Sequence, residues 1–294
     1  MYIGYNQACT RDCSTLVKDL ELCERVGFDF IEIRLDMLSD YLKTHHVDEL
    51  KAFFRSSRLR PHALNALYLY PELFSARDDA GKRDALLAEF ISGCQVAQAI
   101  GSEYFIVVPP LQRDPLGGPF IGNWPDTFDN CVRILSRLAD LAAPYGVKLC
   151  FELVGFERSS VRTVAQANEI VTAVGRDDVG FVFDSYNLFL YDEEESFARM
   201  RDVDPKKIFA IHINNADDVP APLRGQDKRR FCDSGVMDLG HFLRHVKATG
   251  YQGMVSIETF RPEYWHMAPE EVIRRAYETT RQCLLDYGCL AAGQ

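Results

Sequence analysis

Four segments in the second half of the chain each end on a side chain that can bind a divalent metal. They are Lys148-Leu149-Cys150-Phe151-Glu152, Gly180-Phe181-Val182-Phe183-Asp184, Ile208-Phe209-Ala210-Ile211-His212 and Met254-Val255-Ser256-Ile257-Glu258. Side chains alternate faces along an extended strand, so residues i and i−2 share one face. Two positions before each polar tip stands a slim residue: Cys150, Val182, Ala210 or Ser256. One position before it stands a bulky one: Phe151, Phe183, Ile211 or Ile257. Each segment therefore turns its polar tip and a slim residue to one side and apolar bulk to the other. A parallel barrel has this pattern, because its interior is narrow, helices cover its outside, and its chemistry collects where the strands end. A single polar residue at a strand end is ordinarily one that reaches water. Four in phase on successive strands, three carboxylates and an imidazole, make a site for one divalent ion. Oxygen and imidazole donors suit Mn²⁺ or Zn²⁺ foremost, with Co²⁺, Mg²⁺ or Fe²⁺ behind them.

The elements that must carry these residues alternate along the whole chain. Strand-like runs fall at about 2–8, 29–35, 61–69, 104–109, 148–154, 179–185, 208–214 and 254–260. Helical periodicity fills about 14–26, 46–56, 82–100, 125–144, 163–174, 193–201, 238–249 and 269–286. Eight strand–helix units predict an α/β fold, a (β/α)8 TIM barrel, as one domain over residues 1–294. Gly27, Gly101, Gly146, Gly175 and Gly250 each stand after a helical run and before a strand, where a helix end turns through positive φ. Thr163 with Gln166 reads as a capping box, and Pro269-Glu270-Glu271 as a helix start with acids at the positive dipole end. The acidic run Asp192–Glu195 reads as a cap facing solvent.

Composition narrows the function classes. At 294 residues the chain exceeds the roughly 250 of a one-domain barrel, which leaves room for long loops. An apolar fraction of 47% supplies a full core. A formal net charge of −10 argues against a nucleic-acid binder, which needs a basic face. Nine cysteines, an odd number with no CxxC pair, predict a reduced cytoplasmic protein without a disulfide framework. No signal peptide is expected, and no run approaches the roughly 18 apolar residues of a membrane span. Two strand-to-helix loops are long: 109–125, with Gly117, Gly118, Gly122 and Trp124, and 214–235, with Arg224, Lys228, Arg229 and Arg230. Both are expected to shape the pocket. The glycines of the first are weak as a phosphate cradle, since neither phosphate-binding glycine motif follows a strand.

Several stretches resemble the xylose-isomerase-like superfamily of sugar isomerase and epimerase barrels, and within it the inosose isomerases. They include Asp19-Leu20-Glu21-Leu22-Cys23-Glu24, Phe30-Ile31-Glu32-Ile33-Arg34, Ala63-Leu64-Asn65-Ala66-Leu67 and Pro144-Tyr145-Gly146-Val147-Lys148. Phe183-Asp184-Ser185 and Phe260-Arg261-Pro262-Glu263-Tyr264 extend the likeness almost end to end. The resemblance implies one metal held by Glu152, Asp184, His212 and Glu258, the set that the strand phase selects. It implies a small neutral polyol or keto-sugar substrate such as 2-keto-myo-inositol, and leaves homo-oligomerisation open. Two positions depart from it. The family's histidine three residues after the metal-binding aspartate is Asn187 here. The family's Pro-Gly-x-Gly stretch after a substrate-facing arginine is replaced, beyond Arg229, by Cys232-Asp233-Ser234-Gly235. Both are expected to line the pocket.

A ketone beside a CH–OH isomerises through an enediol, which needs a base, an acid and stabilisation of an enolate oxygen. Glu152 and Glu258 are assigned as the proton-transferring pair, and Asp184 and His212 as ligands. His62 is a second candidate proton carrier or substrate contact, against the plainer reading of a hydrogen-bonded barrel histidine. Glu32 either orients a ligand or the substrate, or pairs with Arg34. Arg229 either contacts substrate hydroxyls or is a solvated loop charge. The competing activity is a lyase on the same scaffold, a dehydratase of inosose or dehydroshikimate or a subunit cleaving 3-keto C-glycosides, where the same enolate expels a leaving group. A non-catalytic sugar-binding barrel and a phosphodiesterase are further alternatives. The nuclease reading needs a cluster of several metals and a basic face.

Overall fold

Runs such as Phe105-Ile106-Val107-Val108 and Phe181-Val182-Phe183 are apolar on both faces, the composition of parallel strands covered on both sides. The computed structural model, which describes residues 1–69, 80–111 and 120–290, closes eight of them into a ring. These are β1 (Tyr2–Asn6), β2 (Phe30–Arg34), β3 (Arg60–Tyr68), β4 (Tyr104–Val108), β5 (Lys148–Glu152), β6 (Val179–Asp184) and β7 (Ile208–Ile213), and then β10 (Met254–Ile257). The short β8 (Asn215–Ala216) and β9 (Arg229–Arg230) form a separate antiparallel pair inside the 214–235 loop. Around the ring the order is β1-β10-β7-β6-β5-β4-β3-β2, all pairs parallel. This is the predicted (β/α)8 barrel.

Two separate cores follow from the alternation along each strand. The slim residues Ala63, Cys150, Val182 and Ala210, with Ile106, Val108 and Met254, pack together inside the ring. Phe151, Phe183, Ile211 and Ile257 belong to the larger cluster between the ring and its helices. Gly180 is slim for a sharper reason. A Cβ there would stand 2.2 Å from the Lys207 carbonyl oxygen and 2.6 Å from the Phe209 ring.

The helices Leu16–Val26, Val47–Ser56, Ala80–Ile100, Trp124–Ala142, Val164–Val174, Glu193–Arg199, Leu239–Ala248 and Pro269–Asp286 lie where the periodicity puts them. Gly27 closes its helix at φ +115, donating its N–H to the Cys23 carbonyl. Thr163 and Gln166 form the reciprocal box, and the Asp192 side chain accepts from the Glu195 N–H. Three further short helices follow strands: Leu35–Tyr41 and Ser185–Tyr191 directly, and Pro262–Trp265 after four residues beyond the end of β10. At seven residues or fewer they are too short to show an amphipathic period, and Ser185–Phe189 is buried throughout. Gly117 and Gly118 of the 109–125 loop lie outside the described residues.

Candidate metal centre

Neighbouring strands hold the four polar tips in phase. Glu152 pairs with Val182, Asp184 with His212, and His212 with Ser256, so the register offsets are even and every tip points inward. Glu152, Asp184 and His212 stand on β5, β6 and β7, and Glu258 follows β10. Those strands are adjacent in the ring, so the four occupy one arc of it. One donor atom from each lies within 4.8 Å of all the others. All four side chains are buried, His212 completely.

His212 shows what the cluster is shaped for. Its Nε2 lies 3.0 Å from Glu32 Oε2, so that carboxylate accepts a hydrogen bond from the Nε2–H and fixes the ring. Its Nδ1 faces Glu152 Oε1 at 3.6 Å and Glu258 Oε2 at 3.5 Å, and has no hydrogen-bond partner among the described residues. A buried imidazole nitrogen aimed at three carboxylates, with its other nitrogen backed by a fourth, is the donor set of a divalent cation site. The residues present fit one ion.

Neutral amides and one guanidinium satisfy the remaining carboxylate lone pairs. Asn6 Nδ2 donates to Glu32 Oε2 and to Glu258 Oε1, both at 2.9 Å. Asn65 Nδ2 reaches Glu258 Oε1 at 3.2 Å, Asn214 Nδ2 reaches Asp184 Oδ2 at 3.1 Å, and Asn187 Nδ2 reaches Glu152 Oε1 at 3.1 Å. Arg229 Nη1 bridges Asp184 Oδ2 at 2.7 Å and Glu258 Oε2 at 3.0 Å. Burial pushes the Glu152 carboxyl up to about 7, with Glu258 adding to the shift. Burial opposes ionisation of Glu258 too, but the neighbouring His212 and Arg229 overcome it and pull that carboxyl down to about 2. Two buried carboxyls of one cluster thus differ in the charge that their surroundings favour.

Glu32 orients His212 and does not pair with Arg34, which binds Asp36 instead at 2.9 Å. Arg229 is no solvated loop charge. It is 1% exposed, anchored by Gln226, and packed near the rings of Tyr186 and Phe260. His62 is not part of the cluster. It sits one layer lower, its ring stacked on Tyr104 at 4.7 Å and its Nδ1 3.9 Å from Glu32. It lines a cavity at the opposite, N-terminal mouth of the barrel. Of the two departures, Asn187 touches Glu152, whereas Cys232 turns away toward Thr280 of the last helix, at 3.9 Å. Asn187 thus stands at the ligand cluster, and Cys232 does not. Asn6, Asn65 and Asn214 went unread, although Gly4–Asn6 and Ala63–Asn65 repeat the slim-then-polar spacing on β1 and β3. A search restricted to ionisable tips passes over them. Above the cluster, a cavity of about 810 Å³ opens between Arg34, Tyr68, Phe156, Gln226, Phe260 and Trp265.

The model of the xylose isomerase-like TIM barrel family matches residues 20–283. The chain belongs to that family. An inosose isomerase of Halalkalibacterium halodurans is 39% identical over 281 residues, 95% of each chain. One of Bacillus velezensis is 37% identical over 288 residues, 98% of each chain. A crystal structure described as IOLI protein with a binding zinc atom superposes with a TM-score of 0.88 at 34% identity, covering 99% of this chain and all of that one. Membership of the xylose isomerase-like family and the zinc in that neighbour agree with the donor set found here. Among the described residues no helix is long and apolar enough to cross a membrane.

Proposed function

We infer that this chain is a metal-dependent isomerase of a small neutral keto-polyol of the inosose type, working by proton transfer through an enediolate. The observation that carries the reading is the arc itself. Glu152 and Glu258 stand at its two ends, on β5 and after β10, with Asp184 and His212 between them. A substrate lying against the arc has a carboxylate at either flank, the arrangement for removing a proton at one carbon and returning it at the next. When bound, a divalent cation, Mn²⁺ or Zn²⁺ foremost, supplies Lewis-acid stabilisation of the oxygen that gains charge. The full-length likeness to inosose isomerases supports the keto-polyol class and a place in inositol breakdown.

The other roles follow from contacts. Asp184 and His212 hold the cation; Glu32, itself bonded by Asn6, holds His212 in place, and Asn214 holds Asp184. Arg229 forms a cationic wall beside Asp184 and Glu258, where a substrate oxygen would gain charge. Asn187 offers its amide at Glu152, where a substrate hydroxyl would compete for it. Residues 1–294 are read as one domain, and nine free cysteines favour a reduced, cytoplasmic setting.

Incubation of the metal-loaded protein with a panel of inososes and keto-sugars in D₂O, followed by NMR, tests the reading. An isomer with deuterium at the carbon that exchanges its proton is expected. A product lighter by one water, a conjugated enone absorbance or a cleaved C-glycoside would replace the isomerase with a lyase. Glu152→Gln and Glu258→Gln should each lower turnover by about 10²–10⁴-fold with an unchanged circular dichroism spectrum. Wild-type turnover in either variant removes that residue from proton transfer.

A further inference from the structure

The mouth of the barrel opposite the metal centre is also built as a pocket. It encloses about 700 Å³, the size range of small-molecule sites, and the first residues of seven ring strands line it. Two aromatic pairs form its walls. Tyr2 meets Phe30 edge to face at 5.7 Å, and Tyr104 meets Phe209 at 5.3 Å. Over each pair stands a cation. Arg60 Cζ lies 4.1 Å from the centre of the Phe30 ring, and Lys148 Nζ lies 5.7 Å from that of Tyr104. Lys206 adds a third positive group at the rim.

Charge separates this mouth from an ordinary barrel bottom. The chain carries a formal net charge of −10, yet the lining has three cations, Arg60, Lys148 and Lys206, and one carboxylate, Glu103, 4.0 Å from Lys148. Among the described residues neither Arg60 nor Lys206 meets a carboxylate within ion-pair distance. At the floor is His62, its side chain 7% exposed and its Nδ1 without a hydrogen-bond partner among the described residues. A mouth built only for stability would fill this volume and pair these charges.

We propose that this N-terminal cavity is a second binding site, for a ring-bearing organic anion. The flat or apolar face of the ring stacks on the Tyr104–Phe209 and Tyr2–Phe30 walls, and its phosphate or carboxylate pairs with Arg60 and Lys148. Arg60 needs only to lift from the Phe30 ring to meet it. The site shares no residue with the four metal ligands, so its occupancy does not require the ion.

Phenyl phosphate titrated into the full chain in the presence of a chelator tests this by saturation-transfer NMR and calorimetry, with inorganic phosphate and benzyl alcohol as partial probes. Phenyl phosphate should bind about tenfold or more tightly than either. The double variant R60Q/K148Q should weaken it by a similar factor, and Lys206→Glu, a change at an exposed rim position, should weaken it separately. No binding of phenyl phosphate, equal binding of benzyl alcohol, or unchanged affinity in both variants would overturn the proposal. Circular dichroism separates loss of the site from loss of the fold.

Discussion

Glu32→Gln isolates the carboxylate behind His212. The buried Glu32 side chain accepts from His212 Nε2 at 3.0 Å and from Asn6 Nδ2 at 2.9 Å, both at Oε2, and lies 3.1 Å from His212 through Oε1 as well. Glutamine has the same shape but one oxygen and one NH₂. If its oxygen takes the Oε2 position it still accepts from both, but its NH₂ at the Oε1 position then stands against the His212 Nε2–H, and the reverse placement sets the NH₂ against both His212 and Asn6. A stranded buried donor costs about 1–3 kcal/mol, and exchanging a charged acceptor for a neutral one costs about 1 kcal/mol more. Part of this acts on the fold with or without metal. The part felt at Nδ1 is the loss of fixed tautomer and basicity, which for such partners is about 10–100-fold in metal affinity, or about 1.4–2.7 kcal/mol. Competition for Zn²⁺ against a chromophoric chelator measures it, and the melting temperature of the chelator-treated protein reports the fold cost separately. A Zn²⁺ affinity within about twofold of wild type would refute the view that Glu32 holds His212 for a metal.

Three other outcomes are expected. Asn187→His should change the rate modestly and leave the product unchanged in the D₂O assay, because the new ring still reaches toward Glu152; a change of product would make position 187 a determinant of the reaction. Asp19 is fully buried, and burial pushes its carboxyl up to about 6, so the folded state holds a proton there that the unfolded state, near 3.9, has lost. Its contribution therefore favours folding below about pH 4 and is lost as pH rises toward 6, reaching a penalty of about 3 kcal/mol by pH 7. Asp19→Asn should gain stability relative to wild type between those pH values in urea unfolding, and parallel curves would count against the burial argument. Gly180→Ala drives a Cβ against the Lys207 carbonyl and should cost about 1–3 kcal/mol in urea unfolding, with an unchanged midpoint contradicting the close approach.

The barrel and its ligand set were legible because both are written in period two. Cys150–Glu152, Val182–Asp184, Ala210–His212 and Ser256–Glu258 carry strand, face and chemistry in the same residues. The 214–235 loop carries no such period. Nothing local says that Arg229 is buried, because its burial depends on Asp184 and Glu258, 45 and 29 residues away. His62 misled for a related reason. Strand phase shows which face a residue takes but not its height along the barrel axis, and His62 is near the start of β3, whereas Asn65, three residues on, reaches Glu258. Cys232 misled because no strand phase governs a loop, which here turns that side chain toward Thr280 of the last helix.

The arc of ligands has a stereochemical consequence. With Glu152 at one end and Glu258 at the other, a substrate carbon lying between them presents different faces to the two carboxylates. The ring of strands is not superimposable on its mirror image, so exchanging the two faces of the substrate would exchange donor and acceptor and move the amides of Asn6 and Asn65 to the wrong side. Enantiomeric keto-polyols should thus differ in which hydrogen exchanges with solvent, and the configuration of the product follows from the order in which β5, β6, β7 and β10 stand around the barrel.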